Sequence, residues 1–348
     1  MNEKLDQLKK WREPGNSFCP YLFLHYHLDT DKCTKLCCHA SDNINNRRIE
    51  FDDKVYNAIR KRAVEENTRL RYCTTCYESE DSGYISLRQR AIDDVITHDQ
   101  VDTVFDQINN WKSGESIKPI WYDLRVSNNC NLACIMCGPQ YSSTWAEING
   151  EKNAHLEQEP DLEINPDTWK IQLVGGEPFM IKKYSKMLSK ITNLDCHIVV
   201  NTNATIITQP LMDQLKRFKN VWITLSLDGY GKLNDKIRTN SSWDTIVKNI
   251  KIFKESNFNL LVNTVLQRYN INHLPQLGTW IEEQGIDDWI ISPLFGPDHL
   301  RWQHLDTIDI AAVERTLEFR SIERNESSTE LLKHAIAFMK EKAHESNH

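Results

Sequence analysis

Cys130, Cys134 and Cys137 stand in the run Asn129-Cys-Asn-Leu-Ala-Cys134-Ile-Met-Cys137-Gly138. This CxxxCxxC spacing puts three thiolates on one loop, enough for three irons of a four-iron cluster, and leaves the fourth iron open. Clusters that only carry electrons give every iron a cysteine, so an open iron points to one that binds substrate or cofactor. The alternative for these three cysteines alone is a zinc site completed by a remote His or Cys. A second constellation lies upstream: Cys19-Pro20, Asp31-Lys32-Cys33, Cys37-Cys38-His39 and Cys73-Thr-Thr-Cys76. Four thiolates are readily assembled from it, and zinc is again an alternative because CxxC is a usual zinc half-site. Cys196 stands apart beside His197; adjacent strand residues face opposite sides, so the two read as no nucleophile pair and Cys196 as a buried structural cysteine.

The elements that must position the three-cysteine loop follow from about residue 118. Alternating β-rich and amphipathic segments predict strands at 121–126, 170–174, 197–201, 221–227, 260–266 and 289–292. Helices are predicted at 143–149, 182–191, 210–218, 242–255 and 274–283. Such a βα series builds a parallel sheet, and the cysteine loop would follow its first strand, where βα enzymes keep their active sites. Six units fall short of a closed eight-fold barrel, so a partial (β/α)6 TIM-like barrel is expected. Upstream, 51–66 and 86–112 read as helices, and downstream so do 308–320 and 328–342. The acidic stretch 149–167 reads as a surface excursion.

Composition bounds the function. The 348 residues allow a sizeable core and two domains, and a hydrophobic fraction of 40% with 26% charged residues is that of a soluble globular protein. With 42 basic and 49 acidic residues the formal charge is −7, which argues against a broadly basic nucleic-acid face. The charged N-terminus lacks the apolar core of a signal peptide, and no run is long and apolar enough to span a bilayer. A cytoplasmic protein is expected; in that reducing compartment ten cysteines, nine of them before residue 138, read as metal ligands rather than disulfides.

The cysteine loop resembles the defining motif of the radical S-adenosylmethionine (radical SAM) superfamily, and the later motifs match in strand order. Gly175-Gly176-Glu177-Pro178 ends the second strand where that family's GGEP contacts the amino group of S-adenosylmethionine. Asn201-Thr-Asn203 ends the third, and Ser226-Leu-Asp228-Gly229 the fourth, followed by Arg238. The resemblance implies that the open iron is chelated by S-adenosylmethionine, that Met136 touches its adenine, and that Asn201 and Asn203 contact its ribose or methionine. It also implies that Ser226 and Arg238 hold its carboxylate, a task suited to a planar guanidinium, with Asp228 nearby. The reduced [4Fe-4S] cluster of such enzymes cleaves the cofactor to a 5′-deoxyadenosyl radical that abstracts hydrogen from substrate, the electron coming from a donor such as a flavodoxin or ferredoxin.

The upstream cysteines resemble the twitch module, a half-size relative of the SPASM domain that holds an auxiliary [4Fe-4S] cluster. This resemblance implies Cys19, Cys37, Cys73 and Cys76 as ligands, with Cys38 competing with Cys37 and Cys33 a spectator. Lys32 occupies the usual glycine position, and the module precedes the barrel where it usually follows. Glu80, Gly83, Ser86 and Arg88 also resemble the stretch after CxxC in twitch proteins. The expected fold is therefore α/β: a twitch-like α+β module (1–115), a partial barrel (116–300) and a helical C-terminal extension (301–348). The expected activity is hydrogen abstraction from a substrate, with a peptide or protein side chain favoured; a metabolite, sugar or nucleotide is the alternative. A non-catalytic, metal-stabilised binding protein is the rival from another class.

Overall fold

A computed structural model describes residues 2–30, 34–41, 43–44, 47–48, 52–158, 164–286 and 288–345. Lys32 and Cys33 lie outside the described residues. The chain divides into two compact units, 1–125 with 160–171, and 126–159 with 172–348.

In the first unit the short strands are β1 (His25–Leu28), β2 (Thr34–Lys35), β3 (Asn43–Ile44), β4 (Arg47–Arg48) and β5 (Trp121–Leu124). β1 pairs in parallel with β5, placing His27 beside Asp123, and antiparallel with β2; β3 and β4 form a hairpin. β1 was not expected from sequence. Its residues, His-Tyr-His-Leu, alternate over only four positions, too short a run to signal a strand, and it is held by its pairing with β5. The helix expected at 51–66 runs Asp53–Val64, started by the Asp52 carboxylate, which accepts from the Val55 amide. The single helix expected at 86–112 is two, Leu87–Thr97 and Val101–Ser113. Asp99 between them has φ 56°, a left-handed conformation through which a helix does not propagate. Ser86 and Gln89 form a reciprocal capping box at the first of these helices. Phe18, Phe23, Leu24, Ile92, Val95 and Trp121 are among the residues of this unit's apolar core.

The second unit holds β6 (Ala133–Cys134), β8 (His197–Thr202), β9 (Asn220–Ser226), β10 (Arg238–Thr239), β11 (Asn259–Leu266) and β12 (Asp288–Pro293), and the division between units falls within β7 (Lys170–Leu173). Its main sheet runs β7-β8-β9-β11-β12, and β8, β9, β11 and β12 pair in parallel. The strands follow chain order with helices between them, as a partial barrel requires, and all six strands expected from sequence are present. β8 and β9 alternate buried with half-buried residues, so both faces are covered. The C-terminal helix Glu326–Glu345 packs on β12, where the Ile291 amide donates to Ser328 Oγ at 2.8 Å. Among the described residues no helix is long and apolar enough to cross a membrane.

Candidate functional site

The cysteine loop is held from three sides within the second unit. Its middle forms β6, which pairs antiparallel with β10 so that Arg238 lies opposite Cys134. The helix Ser143–Ile148 that follows the loop ties down the rest. Cys130 N donates to Ser143 Oγ (3.2 Å), Thr144 Oγ1 donates to Cys130 O (2.7 Å), Ser142 Oγ to Leu132 O (2.7 Å) and Trp145 Nε1 to Cys134 O (2.8 Å). Asn128, fully buried, accepts from Leu156 N and donates to Pro139 O and Ala154 O. Thus much of the acidic excursion is clamped at its base. Motif reading missed these residues, whose only sequence signal is a Ser-Ser-Thr-Trp run one turn after the loop.

The third side is the GGEP segment. Gly176 N donates to Ser127 O (2.9 Å) and Glu177 N to Asn129 O (2.7 Å). A Cβ on Gly176 would stand 2.2 Å from Asn129 O, so only glycine permits this approach, and Gly175 takes φ 122°. Pro178 is buried and opens the 3-10 turn Pro178–Met180. The Glu177 carboxylate is fully buried and accepts from Thr202 Oγ1 (2.7 Å), Asn203 N (2.8 Å) and Phe179 N (3.2 Å). Burial pushes its pKa up to about 7, although the two amides and the hydroxyl pull it down. Glu177 therefore fastens the end of β7 to the end of β8. Asn203 Nδ2 in turn donates to Asn131 Oδ1 (3.1 Å) and lies 4.0 Å from Cys130 Sγ.

At the end of β9 the buried Asp228 accepts from Val265 N at 2.7 Å, and its other oxygen lies 2.8 Å from Arg238 Nη2. Ser226 is half-buried, as are Met136 and Asn201. Cys130, Cys134, Asn203, Glu177, Asp228 and Arg238 are thus linked through contacts or loop pairing. Ser226 and Met136 share the strand ends and the loop with them. Asn201 Oδ1 and Arg238 Nε are buried without a hydrogen-bond partner among the described residues.

The donor set fits a three-thiolate [4Fe-4S] cluster. Burial pushes the Cys130 thiol up to about 12 and Cys134 up to about 11, the latter eased by the Arg238 charge. Such thiols would release their protons to solvent on ligating iron, and a hydrogen bond from the Leu132 amide favours the Cys130 thiolate. The orphaned polar atoms of Asn201 and Arg238 suit a polar, carboxylate-bearing ligand such as S-adenosylmethionine.

In the first unit the structure brings Cys19, Cys37, Cys73 and Cys76 into one another's electrostatic reach. Burial pushes Cys19 up to about 12 and Cys37 and Cys73 well above the ordinary thiol value. Backbone amides of Tyr21 and of Leu87 and Arg88 point at the Cys19 and Cys76 sulfurs, an arrangement suited to metal-bound thiolates. Cys37 is buried, whereas Cys38 is exposed. No three His, Cys, Asp or Glu side chains among the described residues converge tightly enough for a single metal ion, an approach that a larger cluster does not require. Beside the thiols, Arg88 and Glu80 form a buried two-point ion pair, both contacts 2.8 Å, and Ser86 Oγ donates to Glu80 at 2.6 Å. Arg88 also donates to the carbonyls of Trp11, Arg12, Glu13 and Phe18. The stretch after CxxC thus anchors the end of the N-terminal helix and the chain leading to Cys19. Cys196 is buried, with its thiol 3.8 Å from His197 O.

The second unit thus brings together a parallel α/β sheet, a three-cysteine loop, a GGEP strand end and an Asp–Arg pair against the loop. Residues 124–281 match the Radical SAM superfamily. The chain is similar to the S-adenosylmethionine-dependent nucleotide dehydratase of Flammeovirga pacifica, 27% identical over 193 residues that cover 52% of this chain and 64% of that protein. It is also similar to the radical SAM cyclopropyl synthase TigE of Paramaledivibacter caminithermalis, 29% identical over 184 residues, 47% and 38% of the two chains. Among solved structures, Streptococcus suis SuiB bound to S-adenosylmethionine aligns at 17% identity with a TM-score of 0.44, covering 81% of this chain and 66% of that one. The chain spans less than two thirds of the length of these two curated relatives.

Proposed function

We propose that this chain uses a [4Fe-4S] cluster on Cys130, Cys134 and Cys137, with S-adenosylmethionine on the open iron, to abstract hydrogen from a peptide or protein side chain. When bound and reduced, that pair supplies a 5′-deoxyadenosyl radical. The chain's own residues hold and orient it: Met136 against the adenine, Gly175, Gly176, Glu177 and Pro178 as the strand end beside the amino group, Asn201 and Asn203 on the methionine or ribose. Ser226 and Arg238 take the carboxylate, with Asp228 fixing the guanidinium. The observation that carries this reading is the junction of the loop with both motifs, Glu177 N on Asn129 O and Arg238 opposite Cys134. A flavodoxin or ferredoxin is the proposed electron donor.

The proposal extends to an auxiliary [4Fe-4S] cluster on Cys19, Cys37, Cys73 and Cys76 in a module of residues 1–115, ahead of a barrel of 116–300 and a helical extension of 301–348. The electrostatic reach of the four thiols on one another and the exposure of Cys38 support it, with full ligation favouring electron transfer or a structural role. A nucleotide substrate is the second reading, favoured by the likeness to a nucleotide dehydratase over 52% of the chain.

The test is anaerobic reconstitution with iron and sulfide, then dithionite and S-adenosylmethionine, with 5′-deoxyadenosine measured by mass spectrometry. The nucleoside is expected from the intact chain and not from Cys134→Ala; its absence from the intact chain sinks the enzyme reading. The double variant Cys73→Ala/Cys76→Ala is expected to lose about four irons per chain while still forming 5′-deoxyadenosine. Unchanged iron, or zinc in place of it, defeats the auxiliary-cluster assignment.

A further inference from the structure

Four aromatic side chains are exposed among the described residues, Tyr141, Tyr230, Tyr269 and Phe295. Three of them follow the C-terminal ends of successive parallel strands: Tyr230 after β9, Tyr269 after β11 and Phe295 after β12, exposed by 48%, 40% and 58%. Random surface exposure would scatter them over the helices and both ends of the sheet. Their loops are also bonded to one another. Asn270 Nδ2 donates to Asp228 O at 3.1 Å, joining the β11 loop to the β9 loop. Arg268 N donates to Leu300 O (2.9 Å) and Arg268 Nη1 to His299 O (3.2 Å), joining it to the chain beyond β12. Beneath them, Asp228 pairs with Arg238, which lies opposite Cys134.

Charge is distributed unevenly along this rim. Lys236 Nζ stands 5.5 Å from the centre of the Tyr269 ring, and the Arg268 guanidinium 5.9 Å from it. No carboxylate is recorded within ion-pair distance of either cation among the described residues. The carboxylates on these loops make their contacts elsewhere: Asp235 accepts from Ser241 Oγ and Trp243 N, and Asp298 pairs with Arg301 and His304. In a chain of net charge −7, Lys236 and Arg268 set two cations without an ion-pair partner among the described residues beside an exposed ring.

We propose that the loops after β9, β11 and β12 dock an acidic polypeptide substrate, with Tyr269 between Lys236 and Arg268 as the contact that selects it. This deepens the enzyme reading above and rests on it. An apolar or aromatic substrate side chain gains contact area on the rings, and a neighbouring carboxylate gains the two cations. An extended polyanion such as RNA would carry many phosphates against the overall negative charge, whereas a peptide with one or two carboxylates loses little to it.

The test uses the full metal-free chain on an array of immobilised dodecapeptides graded in acidic and aromatic content, with a labelled single-stranded RNA and ATP as competing probes. Retention is expected to rise with acidic and aromatic content, to weaken as salt is raised, and to fall about tenfold in Lys236→Glu/Arg268→Glu. Tyr269→Ala is expected to lose the aromatic preference, and Tyr269→Phe to keep it; melting curves check that each variant is folded. A flat profile over the array, an unchanged profile in both variants, or tighter binding of RNA or ATP than of any peptide overturns the proposal. Because array binding needs no cluster, these outcomes are separate from 5′-deoxyadenosine formation, whose failure would instead remove the enzyme reading while leaving a peptide-binding rim.

Discussion

Gly176 and Asn129 meet where the motif strand touches the cysteine loop, and the contact is close enough to forbid any side chain. Gly176→Ala must push the two backbones apart, at a cost of about 1–3 kcal/mol, the usual range for overpacking a tight site. The expected result is a lower melting temperature together with loss of the iron proposed on Cys130, Cys134 and Cys137, measured in the Cys73→Ala/Cys76→Ala background. Normal iron content in that variant would show that the approach does not position the loop. At this scale GGEP was legible as a motif, but the bonds of its glutamate were not. Thr202, between the two asparagines singled out from sequence, and the Asn203 amide take the Glu177 carboxylate, because strand pairing sets which atoms of β8 face the end of β7.

β1 and β5 illustrate what an element gains from its neighbour. His27 Nδ1 lies 2.9 Å from Asp123 Oδ2 across the paired strands, both side chains buried, and Asp29, itself within reach of Arg125 and Lys35, completes the surroundings with His25. Burial pulls the His27 pKa down, but the Asp123 charge and hydrogen bond outweigh it and hold it above the ordinary value. The stabilisation from a raised histidine is fully present below the unfolded pKa of about 6.5. It is lost as pH rises through the raised folded value. Amides of β1 and β5 are therefore expected to exchange faster with solvent, relative to global unfolding, above that value than at pH 6. Asp123→Asn should abolish this dependence and destabilise the pair by about 3–5 kcal/mol, as breaking one side of a buried ion pair does. Protection that is flat with pH in the native chain would refute the linkage. The pairing was invisible in sequence because four alternating residues are too short a run to signal a strand, whereas the longer β8, β9 and β11 carried theirs.

On the scale of the whole molecule, the C-terminal helix Glu326–Glu345 is part of the second unit's core rather than an appendage. Leu331, Leu332, Ala335 and Met339 are buried, and Ser328 accepts from the β12 backbone. A chain ending at Asn325 exposes these side chains and leaves the Ile291 amide unpartnered, several kcal/mol in total. Its melting temperature should drop on the order of 10 °C in calorimetry; an unchanged transition would mean that the helix is dispensable. Sequence by itself determined the thiol spacing of the cysteine loop, the order of the six βα strands, and the residues that head the strand ends, because thiol spacing and hydrophobic period are local properties. Only the tertiary structure decided that β1 joins β5 and that Glu177 and Arg238 are engaged by β8 and Asp228. Those outcomes depend on which strands become neighbours, and neighbourhood is set by burial across the whole fold rather than by any segment's own pattern.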